Sequence, residues 1–258
     1  TIPLYHGSTL APWPNRIADG KYEYKGVDFQ TPINELSRNN ALHGLVADDN
    51  FELADKGVSH VELIAQVSSG NHYPTDLRIV ASFVLDESGL NWRVTAKNIG
   101  IHSAPYGVSI HPYLVTGSNT LVDEFNLKMD SSEYLEVDDV RLLPTQVRAV
   151  DARNFNFKSK AKIGSLFIDH AFKIEPNSQT KRVEVTDNKN VGTFMQFDSN
   201  ARWIQIHTSD RDGRPDSRKS LAVEPMSCPP DAFNSGFDLI ELEPDQIFSM
   251  SWLIGPIN

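Results

Sequence analysis

Leu77-Arg78-Ile79-Val80-Ala81-Ser82-Phe83-Val84-Leu85-Asp86-Glu87-Ser88-Gly89-Leu90-Asn91-Trp92-Arg93-Val94-Thr95-Ala96 is the stretch from which the fold can be read. Leu77, Ile79, Ala81, Phe83 and Leu85 recur at every second position, and so do Leu90, Trp92, Val94 and Ala96. Successive side chains of a strand point to opposite faces, so a period of two marks a strand with one buried side. Asp86-Glu87-Ser88-Gly89 between the two runs predicts a hairpin turn. The same alternation precedes it in His60 to Val67, with Val61, Leu63, Ala65 and Val67 on one face and Glu62, Ile64 and Gln66 on the other. It returns in Val183–Val185, Val191–Phe197, Trp203–His207, Phe237–Leu242 and Phe248–Ile254. Helical spacing of apolar residues is not sustained anywhere, so the chain reads as all-β, antiparallel and stacked as a sandwich.

Bulk properties narrow the function. The 258 residues, 40% hydrophobic and 22% charged, suit one large globular domain, and no composition break or Ser/Gly linker divides them. A formal net charge of −10 without a basic cluster argues against nucleic acid or an anionic membrane as partner. Cys228 is the only cysteine, which excludes an intramolecular disulfide and fits a reducing, cytoplasmic location. No apolar run approaches the ~18 residues a spanning helix needs. Because the chain opens Thr1-Ile2-Pro3 rather than with Met, an N-terminal segment is expected to be missing or processed.

Two long stretches break the alternation, Thr31 to Asp49 and Ser209 to Lys219. The second is polar and predicts a mobile surface loop. The first carries Asn39-Asn40-Ala41-Leu42-His43-Gly44 and is the better candidate for a functional loop. Six features could carry chemistry. Pro12-Trp13-Pro14-Asn15-Arg16-Ile17 reads either as a sugar contact, with the tryptophan ring on a C–H face and Arg16 on hydroxyls, or as a Pro-rich connection with Arg16 in a structural ion pair. His43 sits beside a glycine, and His111 closes an apolar strand where Pro112 holds it extended. Asp169 and His170 are strand neighbours and so face opposite ways, which makes a direct pair between them unexpected. His207 ends Trp203-Ile204-Gln205-Ile206-His207 and is a weaker candidate. Finally, Ala222 to Asn234 opens as a buried strand, places Glu224 at the expected strand end, and stiffens through Pro225, Pro229 and Pro230.

The chain has no His-x-His, Cys-x-x-Cys or His-Glu-x-x-His, so a metal site would need ligands from distant segments. Neither a Gly-x-Ser-x-Gly elbow nor a Gly-rich phosphate loop is present. Acid/base groups with an Arg, a Trp and an Asn describe proton transfer on an uncharged polyhydroxylated substrate.

Pro14-Asn15-Arg16-Ile17, Leu42-His43-Gly44, His111-Pro112-Tyr113, Asp169-His170 and Glu224-Pro225 through Pro230-Asp231-Ala232-Phe233-Asn234 together resemble the aldose 1-epimerases (galactose mutarotases), in that family's order. Tyr73-Pro74 is also similar to a family signature. The resemblance implies an antiparallel β-supersandwich with very little helix, and interconversion of the α and β anomers of a free hexose such as glucose or galactose with no cofactor and no metal. It implies Glu224 as general base on the anomeric hydroxyl, His111 as general acid on the ring oxygen, His43 as an assisting histidine, and Arg16, Asp169 and Asn15 as sugar binders. The partner would be the small sugar alone, and the protein a monomer or homodimer. Three departures qualify it: Leu45 stands where many members have a second glycine, a first strand is expected to be absent, and Met226-Ser227-Cys228-Pro229 suggests a subfamily whose sugar need not be galactose. One alternative is a hexose-6-phosphate 1-epimerase, for which Arg211, Arg214, Arg218 and Lys219 are the available cations. The other is a non-catalytic carbohydrate-binding protein that keeps the Arg16 and Trp13 contacts.

Overall fold

The structure is a computed structural model that describes residues 3–151, 155–175, 181–211 and 213–258; Thr1-Ile2 and Asp212 of the polar loop lie outside them. Its frame is a nine-stranded antiparallel sheet and a six-stranded one, with four two-strand ribbons at their margins. Leu77–Asp86 and Gly89–Asn98 form the predicted hairpin, in register from Leu77 opposite Asn98 to Asp86 opposite Gly89. Glycine is required at 89 because a Cβ there would lie 2.1 Å from the Ile254 carbonyl oxygen on the neighbouring strand. Flanking this hairpin are His60–Val67 on one side and Ile247–Ile257 on the other. The six-stranded sheet runs in the order Tyr113–Leu114, Leu221–Met226, Trp203–His207, Asp169–Lys173, Glu133–Val137 and Pro144–Ala149. Among the described residues, the helical elements are two three-residue 3-10 turns and one α-turn, Ala232–Ser235. None is long and apolar enough to cross a membrane.

One contiguous core joins the two sheets. Ile79, Val94 and Trp252 from the larger sheet and Phe172, Ile206 and Val223 from the smaller belong to it. A buried hydrogen bond crosses between them, from Trp252 Nε1 to the Pro225 carbonyl at 3.1 Å. The predicted inner face of the hairpin holds for Leu77, Ile79, Ala81, Val94 and Ala96, but Leu85 is 60% exposed. Alternation sets which way a side chain points; how far the covering layer extends depends on strands elsewhere. The expected Phe237–Leu242 strand shortens to Ile240–Leu242, because Gly236 at φ 72° closes the α-turn and leaves Phe237 in the loop that follows.

Glu224 is placed differently from the expectation. It lies inside the strand Leu221–Met226, opposite Gln205, and the strand continues through Pro225. Along its outer flank Val223 donates to the Pro112 carbonyl and Ser227 to that of Val108, while Pro225 midway has no N–H to give. The chain opposite that gap leaves the ladder: Ser109–Ile110 pairs with Thr9–Leu10 instead, and His111 donates its N–H to the Ser8 carbonyl. The proline thus opens a gap in the ladder beside the segment that carries His111.

Candidate active site

Strand register on one face of the six-stranded sheet builds half of the site. Asp169 is directly opposite His207, Gln205 is opposite Glu224, and Tyr113 is opposite Ala222. Residues two apart share a face, so Asp169, His207, Gln205, Glu224 and Tyr113 all project from the same side. His207, the weaker candidate of the sequence, thus joins the site, while Gln205 escaped the motif search although the alternation of Trp203–His207, with Ile204 and Ile206 turned to the core, contains the signal. His170 turns the other way and packs its ring against Tyr134 and Phe155, as strand geometry demands.

The N-terminal segments supply the other half. Arg16–Ala18 pairs with Asn40–Leu42, which sets Asn15 and Arg16 beside His43. Asn15 and His43 both adopt left-handed backbone, φ 57° and 66°, and the His43 N–H donates to the Asn15 carbonyl at 2.8 Å. Gly44, at φ 80°, packs so tightly on Ala11 that a Cβ would meet the Ala11 oxygen at 2.1 Å. Asp231 of the proline-rich segment braces the Arg16 strand: its N–H donates to the Arg16 carbonyl at 2.7 Å, and its Oδ1 accepts from Ala18 N–H at 2.9 Å. Cys228 is buried and its thiol is pushed up to about 12 by that burial, as a packed structural cysteine should be.

These parts enclose a cavity of about 290 Å³, and all six predicted site residues line it: Asn15, Arg16, His43, His111, Asp169 and Glu224. Glu35, Arg38, His207 and Asp210 complete its polar wall, with Tyr5, Tyr113 and Phe167 as the aromatic rings that reach it. Trp13 does not take part. It is 2% exposed and its ring sits edge-on against Phe233 in the core. Its flanking prolines shape a buried connection rather than a sugar platform. In the polar loop Arg218 pairs with Asp123 outside it and with Asp210 inside it, at 2.9 and 2.7 Å, and Arg211 and Arg214 both pair with Asp216.

At the base of the cavity His111 Nε2 and Glu224 Oε1 are 3.3 Å apart, both groups almost wholly buried. Burial penalises charge on each. It pushes the His111 imidazole down to about 3, with His207 adding to the shift. It raises the Glu224 carboxyl well above the carboxylate range, Asp169 reinforcing the shift and Arg16 opposing it. Both shifts favour the uncharged forms, a neutral imidazole beside a protonated carboxyl. His43 is likewise kept neutral by burial, then by His111 and Arg16. Its Nδ1 accepts the Asn15 N–H at 3.3 Å, which leaves the ring proton on Nε2.

Arg16 lies between two carboxylates, bidentate to Glu35 at 2.9 and 3.0 Å and 3.6 Å from Asp169. Asp169 is held ionised: burial would raise it, but His207, Arg16 and a 2.6 Å hydrogen bond from Gln205 outweigh that. His43, His111 and Glu224 each place a donor atom within 4.8 Å of the others, drawn from three distant segments. Coordination through His43 Nε2 would require displacing its proton while Nδ1 faces a backbone N–H, so this trio suits proton transfer better than chelation.

Residues 2–254 match the aldose 1-epimerase family model. The chain belongs to the aldose 1-epimerase family. That membership places it among isomerases. It is 38% identical over 244 residues to the uncharacterized protein YihR of Escherichia coli (strain K12), covering 94% of this chain and 76% of that protein. Identity to the galactose mutarotase of Rattus norvegicus is 23% over 221 residues, covering 80% of this chain but 63% of the rat protein's length. The fold is similar to that of a GalM/aldose epimerase homologue from C. elegans, with a TM-score of 0.83 at 20% identity, covering 98% of this chain and 83% of that chain. A galactose mutarotase-like protein from Clostridium acetobutylicum gives a TM-score of 0.84 at 19% identity, covering 97% of this chain and 79% of that chain.

Proposed function

We propose that this protein interconverts the α and β anomers of a free hexose such as glucose or galactose. The observation that carries the reading is the buried His111–Glu224 pair, 3.3 Å apart at the base of a cavity that Arg16 and Asp169 also line. Mutarotation needs one group to take a proton from the anomeric hydroxyl while another gives one to the ring oxygen. In this reading Glu224 passes its carboxyl proton to His111 across the 3.3 Å contact when the sugar binds, so that Glu224 becomes the base and His111 the acid. The ring opens to the aldehyde, C1 rotates about the C1–C2 bond, and reclosure with reversed roles yields the other anomer. Each turnover returns the proton count of the pair to its starting value, so no external acid or base is consumed. His43 presents its Nε2–H to the ring oxygen or to a substrate hydroxyl. Arg16, Asp169 and Asn15 hold the remaining hydroxyls, Arg16 donating and ionised Asp169 accepting.

Positioned acid and base groups of this kind contribute about 10²–10⁴-fold each, enough for a reaction that already proceeds slowly in water. We place the enzyme in the cytoplasm, consistent with its single buried cysteine. Polarimetry of freshly dissolved α-glucose and α-galactose tests the reading. Acceleration over buffer, lost in Glu224→Gln, is expected; no acceleration on any common aldose would refute it.

A second reading, epimerisation of a hexose 6-phosphate, draws support from one observation. Arg38 reaches the cavity wall, and its buried Nε has no hydrogen-bond partner among the described residues. This reading would give faster turnover of hexose 6-phosphate than of hexose, falling steeply with added salt.

A further inference from the structure

Glu35 was not among the residues singled out by motif, yet it is the most completely bonded carboxylate at the cavity. Oε1 accepts from Arg16 and Arg38, both at 3.0 Å, and Oε2 accepts from Arg16 and Asn40, both at 2.9 Å. Four donors fill the acceptor sites of a carboxylate, so Glu35 has none left for a sugar hydroxyl. Its own charge is secured: burial would raise its carboxyl, but the hydrogen bonds and charges of Arg16, Asn40 and Arg38 bring it below the usual carboxylate range.

The geometry of the fork matters more than its strength. Glu35 takes the Nε and NH2 edge of Arg16. That fixes the guanidinium plane and leaves the NH1/NH2 end beside Asn15 Oδ1, at 3.4 Å, and Asp169, at 3.6 Å. Glu35 is itself steadied from outside the cavity. Asn40 donates to Glu35 and to the Arg141 carbonyl, while Arg141 NH2 donates back to Asn40 Oδ1 at 3.0 Å. Arg141 also clamps the same loop through the Arg38 and Asn39 carbonyls.

We propose that Glu35 is a positioning residue: it holds Arg16 edge-on so that one end of the guanidinium meets the sugar, without touching the sugar itself. This rests on the proposed role of Arg16 as a sugar binder. An interaction that orients a group used equally in the ground and transition states acts on KM and leaves kcat nearly unchanged. Misplacing such a group by about 1 Å can cost up to about 10²-fold. Glu35→Gln keeps the shape but turns an NH2 toward donors, and it is expected to raise KM for the hexose about tenfold or more with kcat within about threefold. Glu35→Asp, which keeps the charge, should recover part of the loss.

The deciding measurement is a double-mutant cycle with Arg16→Lys, using full-length folded protein and polarimetric KM and kcat. The proposal expects Arg16→Lys to raise KM by itself and Glu35→Gln to add nothing in that background. Unchanged KM in Glu35→Gln, a fall confined to kcat, or an equal KM increase in the Arg16→Lys background would each overturn it. If Arg16→Lys alone leaves KM unaltered, the reading of Arg16 falls and this inference with it, a result distinct from failure of Glu35 alone. Should Glu35→Gln not fold, Arg141→Met probes the same chain from outside the cavity. It should give a smaller KM increase that also vanishes beside Arg16→Lys, and no change in KM would overturn the proposal.

Discussion

Replacing Glu224 by Gln separates chemistry from folding in a single substitution. The amide has the same shape, so packing around the 2% exposed side chain is kept while the exchangeable proton is lost. Loss of one positioned acid/base group corresponds to about 10²–10⁴-fold in rate, or about 3–5 kcal/mol of barrier. Stability should move the other way. Burial raises the Glu224 carboxyl above its ordinary value of 4.5, with Asp169 adding to the shift. Above pH 4.5 the unfolded chain has released this proton while the folded protein still holds it. Folding must then take up a proton, and stability falls as pH rises from 4.5 to the raised pKa, by about 1.4 kcal/mol per pH unit. Gln carries no such penalty. Glu224→Gln should therefore match the wild type near pH 4 and exceed it increasingly toward neutral pH, levelling off beyond the raised pKa. Urea denaturation at pH 4, 6 and 8, paired with polarimetry at pH 7, measures both effects. A variant that retains activity within threefold, or whose stability relative to wild type does not grow with pH, would refute this account of the pair.

Other consequences follow from the same geometry. The acid limb of kcat/KM, where a second proton on the His111–Glu224 pair leaves no base, should lie far below the 6.5 of a solvated imidazole, because burial holds His111 down to about 3; a limb at pH 6–6.5 would show that it titrates as if exposed. The same shift has a stability cost of opposite sense to that of Glu224: stability is lost as pH falls from 6.5 toward about 3, and His111→Asn should flatten this part of the urea profile. Gly44→Ala, at φ 80° with its Cβ driven to 2.1 Å from the Ala11 oxygen, should cost about 2 kcal/mol or more and lower Tm by about 5 °C or more. Trp13→Phe should lower Tm while leaving hexose KM within about twofold, and a large KM increase would restore the ring to the sugar site.

The all-β reading came from local alternation, and residues such as Ile79, Val94 and Ile206 lie in the core where that alternation directs them. Motif order likewise picked out Asn15, Arg16, His43, His111, Asp169 and Glu224, which line one cavity despite their separation along the chain. A strand's period of two is a property of a few neighbouring residues, which is why the sequence by itself determined which residues face one way. It could not determine that Gln205 stands opposite Glu224 or that His207 stands opposite Asp169, because register joins segments far apart. For the same reason Trp13, apt for a sugar by composition, went to the core, while Glu35, an unremarked loop residue, gathered four hydrogen bonds from Arg16, Arg38 and Asn40. Protonation was decided by tertiary structure alone. A glutamate is raised and a neighbouring histidine lowered only where surrounding chain excludes water from both, and how far water is excluded is a property of the assembled fold.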